Sequence, residues 1–97
     1  MLIRIVKMTF KPEEVDTFLD IFNESKEKIR GFEGCEHLEL MVDVNDSNSY
    51  STYSHWQDEI ALNNYRNSHL FDGVWARTKA LFAQKPIAFS LKSHSVV

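Results

Sequence analysis

The chain has 97 residues, enough for a single domain over residues 1–97 and too few for a second core. It is 43% hydrophobic and 26% charged with 3 Gly and 2 Pro, which excludes disordered and fibrous classes, and a net charge of −3 with no basic block argues against nucleic acid as a partner. The longest unbroken apolar run is the four residues from Ala80 to Ala83, far short of the roughly 20 of a membrane span and too short for a signal peptide; the single cysteine, Cys35, rules out an internal disulfide and fits a reducing, cytoplasmic setting.

Residues 2–10 read as a strand. Ile3 and Ile5 fall on one face and Val6, Met8 and Phe10 on the other, and a strand apolar on both faces is covered on both sides. Pro12 suits the first turn of a helix, and Glu13, Glu14 and Asp16 complement the positive end of its dipole. Val15, Phe18, Leu19 and Phe22 recur at helical spacing, Ile29 continues the stripe, Lys26, Lys28 and Arg30 occupy the last turn, and Gly31 ends it.

Residues 35–44 form a second strand, residues 45–48 are a cluster of turn formers, and residues 50–56 form a third strand. The short polar turn makes the two an antiparallel hairpin. Pairing Val44 with Ser49 puts His37 opposite Trp56, Glu39 opposite Ser54, Leu38 opposite His55 and Leu40 opposite Tyr53. A slip of one residue would sort the faces differently. Asp58 or Gln57 opens a short helix through Ile60, Ala61, Leu62 and Tyr65. Ser68 caps a further helix carrying Phe71, Val74, Trp75, Thr78 and Leu81. After Pro86, alternating Ile87, Phe89 and Leu91 make a last strand.

The order β-α-β-β-α-α-β predicts an α+β, ferredoxin-like fold: a four-stranded antiparallel sheet with helices on one face. Helices cover only one face, while the first strand is apolar on both. A second copy of the chain is the expected cover, giving a homodimer packed sheet to sheet. The alternative is a monomer with a solvated outer face.

No phosphate-binding Gly loop, CxxC pair, HExxH helix or Gly-x-Ser-x-Gly elbow is present. The four histidines, His37, His55, His69 and His94, are too scattered for a metal signature. In the pairing above, Arg4, His37, Glu39, Ser54 and Trp56 share one face. Turned toward the helices, they line a cleft beneath Tyr65 and Trp75, an apolar cavity with a few convergent polar groups. Turned outward, they face solvent, and pattern alone leaves both arrangements open. Each residue also has a plainer reading. Trp56, Phe71 and Trp75 serve as packing residues, Arg4 pairs with Glu39, His69 hydrogen-bonds at a helix start, and Cys35 is a small buried hydrophobe.

The chain resembles the antibiotic biosynthesis monooxygenase (ABM) family of dimeric α/β-barrel proteins over nearly its whole length. The resemblance rests on Phe10-Lys11-Pro12-Glu13, on Gly34-Cys35 opening the second strand and on Trp56 closing the third. It continues in Tyr65-Arg66-x-Ser68-x-x-Phe71 and in Leu81-Phe82 before Lys85-Pro86. It implies a homodimer whose sheets form a barrel, with a cavity between sheet and helices in each subunit. It also implies oxygenation of small anthrone- or quinol-like aromatics by dioxygen without metal, flavin or other cofactor, the substrate supplying the electrons. On that footing Trp56 is the cavity Trp, Arg4 stabilises an anion, and His37 or His69 is the base. Val6, Tyr65, Phe71 and Trp75 join Arg4 in binding the substrate. Val6 and Trp75 stand where haem-degrading relatives carry Asn and His, which sets this chain apart from them. His69-Leu70-Phe71 displaces by one residue the His-aromatic pair of quinone-handling relatives. Two further functions fit the same barrel: a non-catalytic small-molecule-binding module, and an isomerase or decarboxylase working without oxygen.

Overall fold

A computed structural model describes all 97 residues. Strand β1 (Leu2–Thr9) leads through a 3-10 turn (Pro12–Glu14) into α1 (Val15–Arg30). Strands β2 (Cys35–Val42) and β3 (Ser49–Trp56) form the hairpin. Helices α2 (Glu59–Arg66) and α3 (His69–Lys79) follow, and β4 (Ile87–Leu91) closes the chain. The strands pair antiparallel in the order β2-β3-β1-β4, the ferredoxin-like arrangement expected.

Both short helices begin where their caps dictate. Asp58 accepts from the Ala61 N–H at 2.8 Å, and the Ser68 hydroxyl accepts from the Phe71 N–H at 3.1 Å. Ser68 also donates to the Tyr65 carbonyl at 2.6 Å, so one side chain ends α2 and starts α3. This double use fixes the angle between the two helices and the placement of Tyr65 and Phe71. Gly34 is the one residue with positive φ, +87°. A Cβ there would collide with that of Ala61, so glycine is what lets α2 lie against the start of β2.

The hairpin pairing differs from the expected one by one residue. Leu38 faces Ser54, Leu40 faces Thr52, Glu39 faces Tyr53 and His37 faces His55. The cause lies in the loop. The Asp43 N–H donates to the Ser49 carbonyl, closing the hairpin one residue earlier than Val44. The Asp43 and Asp46 carboxylates accept from the Asn45 and Asn48 N–H groups at 2.8 and 2.9 Å, stabilising the longer loop. A bulge between Cys35 and His37 then brings Cys35 opposite Trp56. Because side chains alternate, the shift exchanges the faces of β2. Leu38 and Leu40 turn toward the helices, and His37 and Glu39 turn away.

The interior consists of two small clusters. Met8, Phe10, Phe18, Ile21 and Leu81 form one, with the Phe10 and Phe18 rings stacked at 4.1 Å. Cys35, Trp56, Ala61 and Leu62 form the other. Between them lies space rather than side chain. The outer sheet face carries no helix. Cross-strand pairs Ile3–Leu91 and Ile5–Phe89 run across it, with Leu91 50% and Phe89 42% exposed.

Candidate functional site

A cavity of about 290 Å³ opens between the inner sheet face and the helices. Three alternate residues of β1 contribute: Arg4, Val6 and Met8. Their cross-strand neighbours Ser54 and Thr52 on β3, and Ala88 on β4, continue the floor. Leu38 adds to it from β2. Small side chains at Ser54, Thr52 and Ala88 leave the floor low, which is why the space is not filled.

The wall is aromatic. Tyr65 stacks on Trp56 at 5.0 Å and 24°, meets Phe71 edge-on at 5.3 Å, and Phe71 lies parallel to Trp75 at 5.8 Å and 12°. Helix α3 supplies Phe71 and Trp75 one turn apart, and the Ser68 cap sets their rotation about its axis. Trp56 is 1% exposed, and its indole N–H donates to the Ser54 hydroxyl at 3.0 Å. It therefore offers the cavity a ring face and no free donor.

The polar groups are few and of one sign. Arg4 donates from Nη1 to the Ser90 hydroxyl at 3.1 Å, and Arg66 reaches the cavity from the last turn of α2. Burial lowers the Arg4 pKa, and repulsion from Arg66 lowers it further. Burial, followed by the nearby Cys35 thiol group, pushes the Tyr65 phenol up to about 12. Tyr65 is thus a neutral hydrogen-bond donor near neutral pH. No Asp, Glu, Lys or His lines the cavity.

The cavity draws together Arg4, Val6, Trp56, Tyr65, Phe71 and Trp75. It does not include the two histidines expected to supply a base. His37 lies on the outer sheet face, where its Nε2 is 3.0 Å from Glu39 Oε1 and its ring packs against His55 and Tyr53 at 4.9 and 5.8 Å. The one-residue change of pairing put it there, and it took Glu39 away from Arg4 as well. His69, exposed in the first turn of α3, is likewise outside the lining. Sequence reading missed Arg66, Leu38 and Thr52 as lining residues. The correct pairing of the hairpin would have found Leu38, while Thr52 shares a face with Ser54 and Trp56 by alternation along β3 under either pairing. Arg66 follows Tyr65 at a helix end, where a basic residue has an ordinary role at the dipole and gives no signal of a site.

Residues 1–75 match the family model for antibiotic biosynthesis monooxygenase. Solved structures share the fold over the whole chain. A crystal structure of an antibiotic biosynthesis monooxygenase is 25% identical, with a TM-score of 0.91, covering 98% of this chain and 100% of that one. A conserved protein from Methanosarcina mazei is 20% identical with a TM-score of 0.90, covering 97% and 94%. A Mycobacterium tuberculosis protein is 15% identical with a TM-score of 0.89, covering 98% and 96%. No curated protein matches the chain at a significant level.

Proposed function

This chain belongs to the antibiotic biosynthesis monooxygenase family, and from that premise we propose that it oxidises a small anthrone- or quinol-like aromatic with dioxygen in the cavity beneath α3, using no bound cofactor. The observation that carries this reading is a cavity walled by Tyr65, Phe71 and Trp75 whose only charged groups are guanidiniums. Such a site takes a flat apolar molecule and favours its anion.

The chemistry needs little else from the protein. In an anthrone the reacting methylene loses two hydrogens and four electrons. One oxygen atom becomes the new carbonyl, and the other leaves with the two hydrogens as water. The reaction begins once the substrate is ionised, because the phenolate or enolate is the electron donor to dioxygen. With no carboxylate or histidine in the lining, ionisation comes from stabilising the product anion rather than from a side-chain base. Arg4 holds the developing oxyanion, Tyr65 donates a hydrogen bond, and the aromatic wall keeps water out so that both contacts are strong. The proton passes to solvent at the cavity mouth. Two consequences separate this mechanism from one with a base. The pH profile of turnover follows the substrate's own acidity as lowered in the cavity, and replacing His37 or His69 by Ala leaves turnover unchanged.

Oxygen uptake by metal-stripped protein with a panel of anthrones and hydroquinones tests the reading. Arg4→Gln is expected to lower kcat about 100-fold, the usual cost of losing one oxyanion donor. Saturable ligand-induced stabilisation with no oxygen uptake across the panel would instead favour the second reading, a binding module without chemistry.

The same reading includes a homodimer. The apolar outer face, with Ile87 56%, Leu91 50% and Phe89 42% exposed, is the surface a second copy covers sheet to sheet. Light scattering on the native protein should give twice the 11.3 kDa chain mass, and Phe89→Asp should give the monomer.

A further inference from the structure

The cavity holds two guanidinium groups and no anion to match them. Only two contacts bring a basic side chain to a carboxylate in the molecule, His37 with Glu39 and Arg77 with Glu24, so Arg4 and Arg66 are both without a carboxylate partner. The Arg4 guanidinium donates to a neutral group, the Ser90 hydroxyl. The two arginines are near enough for the charge of Arg66 to depress the Arg4 pKa. A chain with 14 acidic against 11 basic residues has carboxylates in surplus and places none here. Like charges facing an apolar wall repel, and an anion placed between them removes the repulsion while gaining charge-assisted hydrogen bonds from both forks. A single phenolate occupies one fork of Arg4 and leaves Arg66 without a partner, so an oxidisable hydroxyl alone does not account for the pair.

We propose that the ligand of this cavity is a fused-ring aromatic carboxylate, its rings against Tyr65, Phe71 and Trp75 and its carboxylate held between Arg4 and Arg66. This rests on reading the cavity as the substrate pocket. The carboxylate is additional to the hydroxyl oxygen that ionises: Arg66 anchors the acid, and the Arg4 fork spans both. The ring count follows from volume. A cavity of roughly 150 Å³ takes up one benzene, so about 290 Å³ takes two or three fused rings.

The test compares 2-naphthoate with 2-naphthamide, nearly equal in shape and differing in charge, by isothermal titration of the native protein. The acid is expected to bind at least about tenfold more tightly, the usual margin for hydrogen bonds to a charged group. Its binding alone should weaken as ionic strength rises. Arg66 is exposed, so Arg66→Gln keeps the fold. It should remove most of the preference, chiefly by weakening the acid, and Arg66→Lys should restore part of it. Equal affinities in the native protein, a preference that survives Arg66→Gln, or binding of neither probe overturns the proposal. No oxygen enters this measurement, so its outcome is independent of the oxygenase reading. A carboxylate preference without oxygen uptake from any hydroxylated acid retires the oxygenase and keeps the anion site. Oxygen uptake with no such preference does the reverse.

Discussion

The two tryptophans near the cavity are expected to separate cleanly under mutation, although both belong to one aromatic ladder. Trp56 is 1% exposed, stacks on Tyr65, meets Phe32 edge-on and spends its N–H on Ser54. It is the largest side chain of a four-residue cluster, so nothing nearby can collapse into the space it leaves. Trp56→Ala should cost about 3–5 kcal/mol. The unfolding entropy of a domain this size makes each kcal/mol worth roughly 5 °C, so the melting temperature should fall by about 15–25 °C. Trp75 is only partly buried and borders the open cavity. Trp75→Ala should lower the melting temperature by roughly 5–10 °C and yet weaken ligand binding more than Trp56→Phe, which keeps a ring in the cluster. Thermal melts by circular dichroism, with and without 2-naphthoate, measure both effects. A Trp56→Ala protein melting within about 5 °C of the parent would refute the packing argument. A Trp75→Ala protein that keeps full ligand-induced stabilisation would refute the assignment of the wall.

Two further outcomes follow from local physics. The Tyr65 phenol, pushed up to about 12 by burial and then by Cys35, has a folded pKa above its unfolded value near 10. Its contribution is therefore fully present below about pH 10 and is lost as pH rises toward 12, about 2–3 kcal/mol in all. Urea denaturation across that range should show the loss, and Tyr65→Phe should flatten it; an unchanged slope in that variant would contradict the assignment. Gly34→Ala should destabilise by at least about 1–3 kcal/mol from backbone strain, with more from the contact with Ala61. A melt indistinguishable from the parent would show that the loop and α2 can move apart.

Much of the fold was legible from the chain because its signals are local. Pro12, Gly31, Asp58 and Ser68 mark helix ends through the backbone groups they satisfy or lack, and these marks need no partner elsewhere. The alternation of β1 on both faces likewise announced a sheet with two sides to cover. The aromatic half of the site, Tyr65, Phe71 and Trp75, was readable because helical spacing orders it. What tertiary structure decided was the polar half. Two Asx turns lengthened the hairpin loop by one residue, and in a period of two that single step sent His37 and Glu39 to the outer face and Leu38 inward. The cavity is an absence of side-chain volume over Thr52, Ser54 and Ala88, which belongs to no single residue. Arg4 and Arg66, 62 positions apart in the chain, line one cavity only once α2 packs against β3, beside β1 in the sheet. Residue types and their order thus determined which elements form and what family they compose, while the register of one loop and the gap between two small cores determined which charges line the cavity.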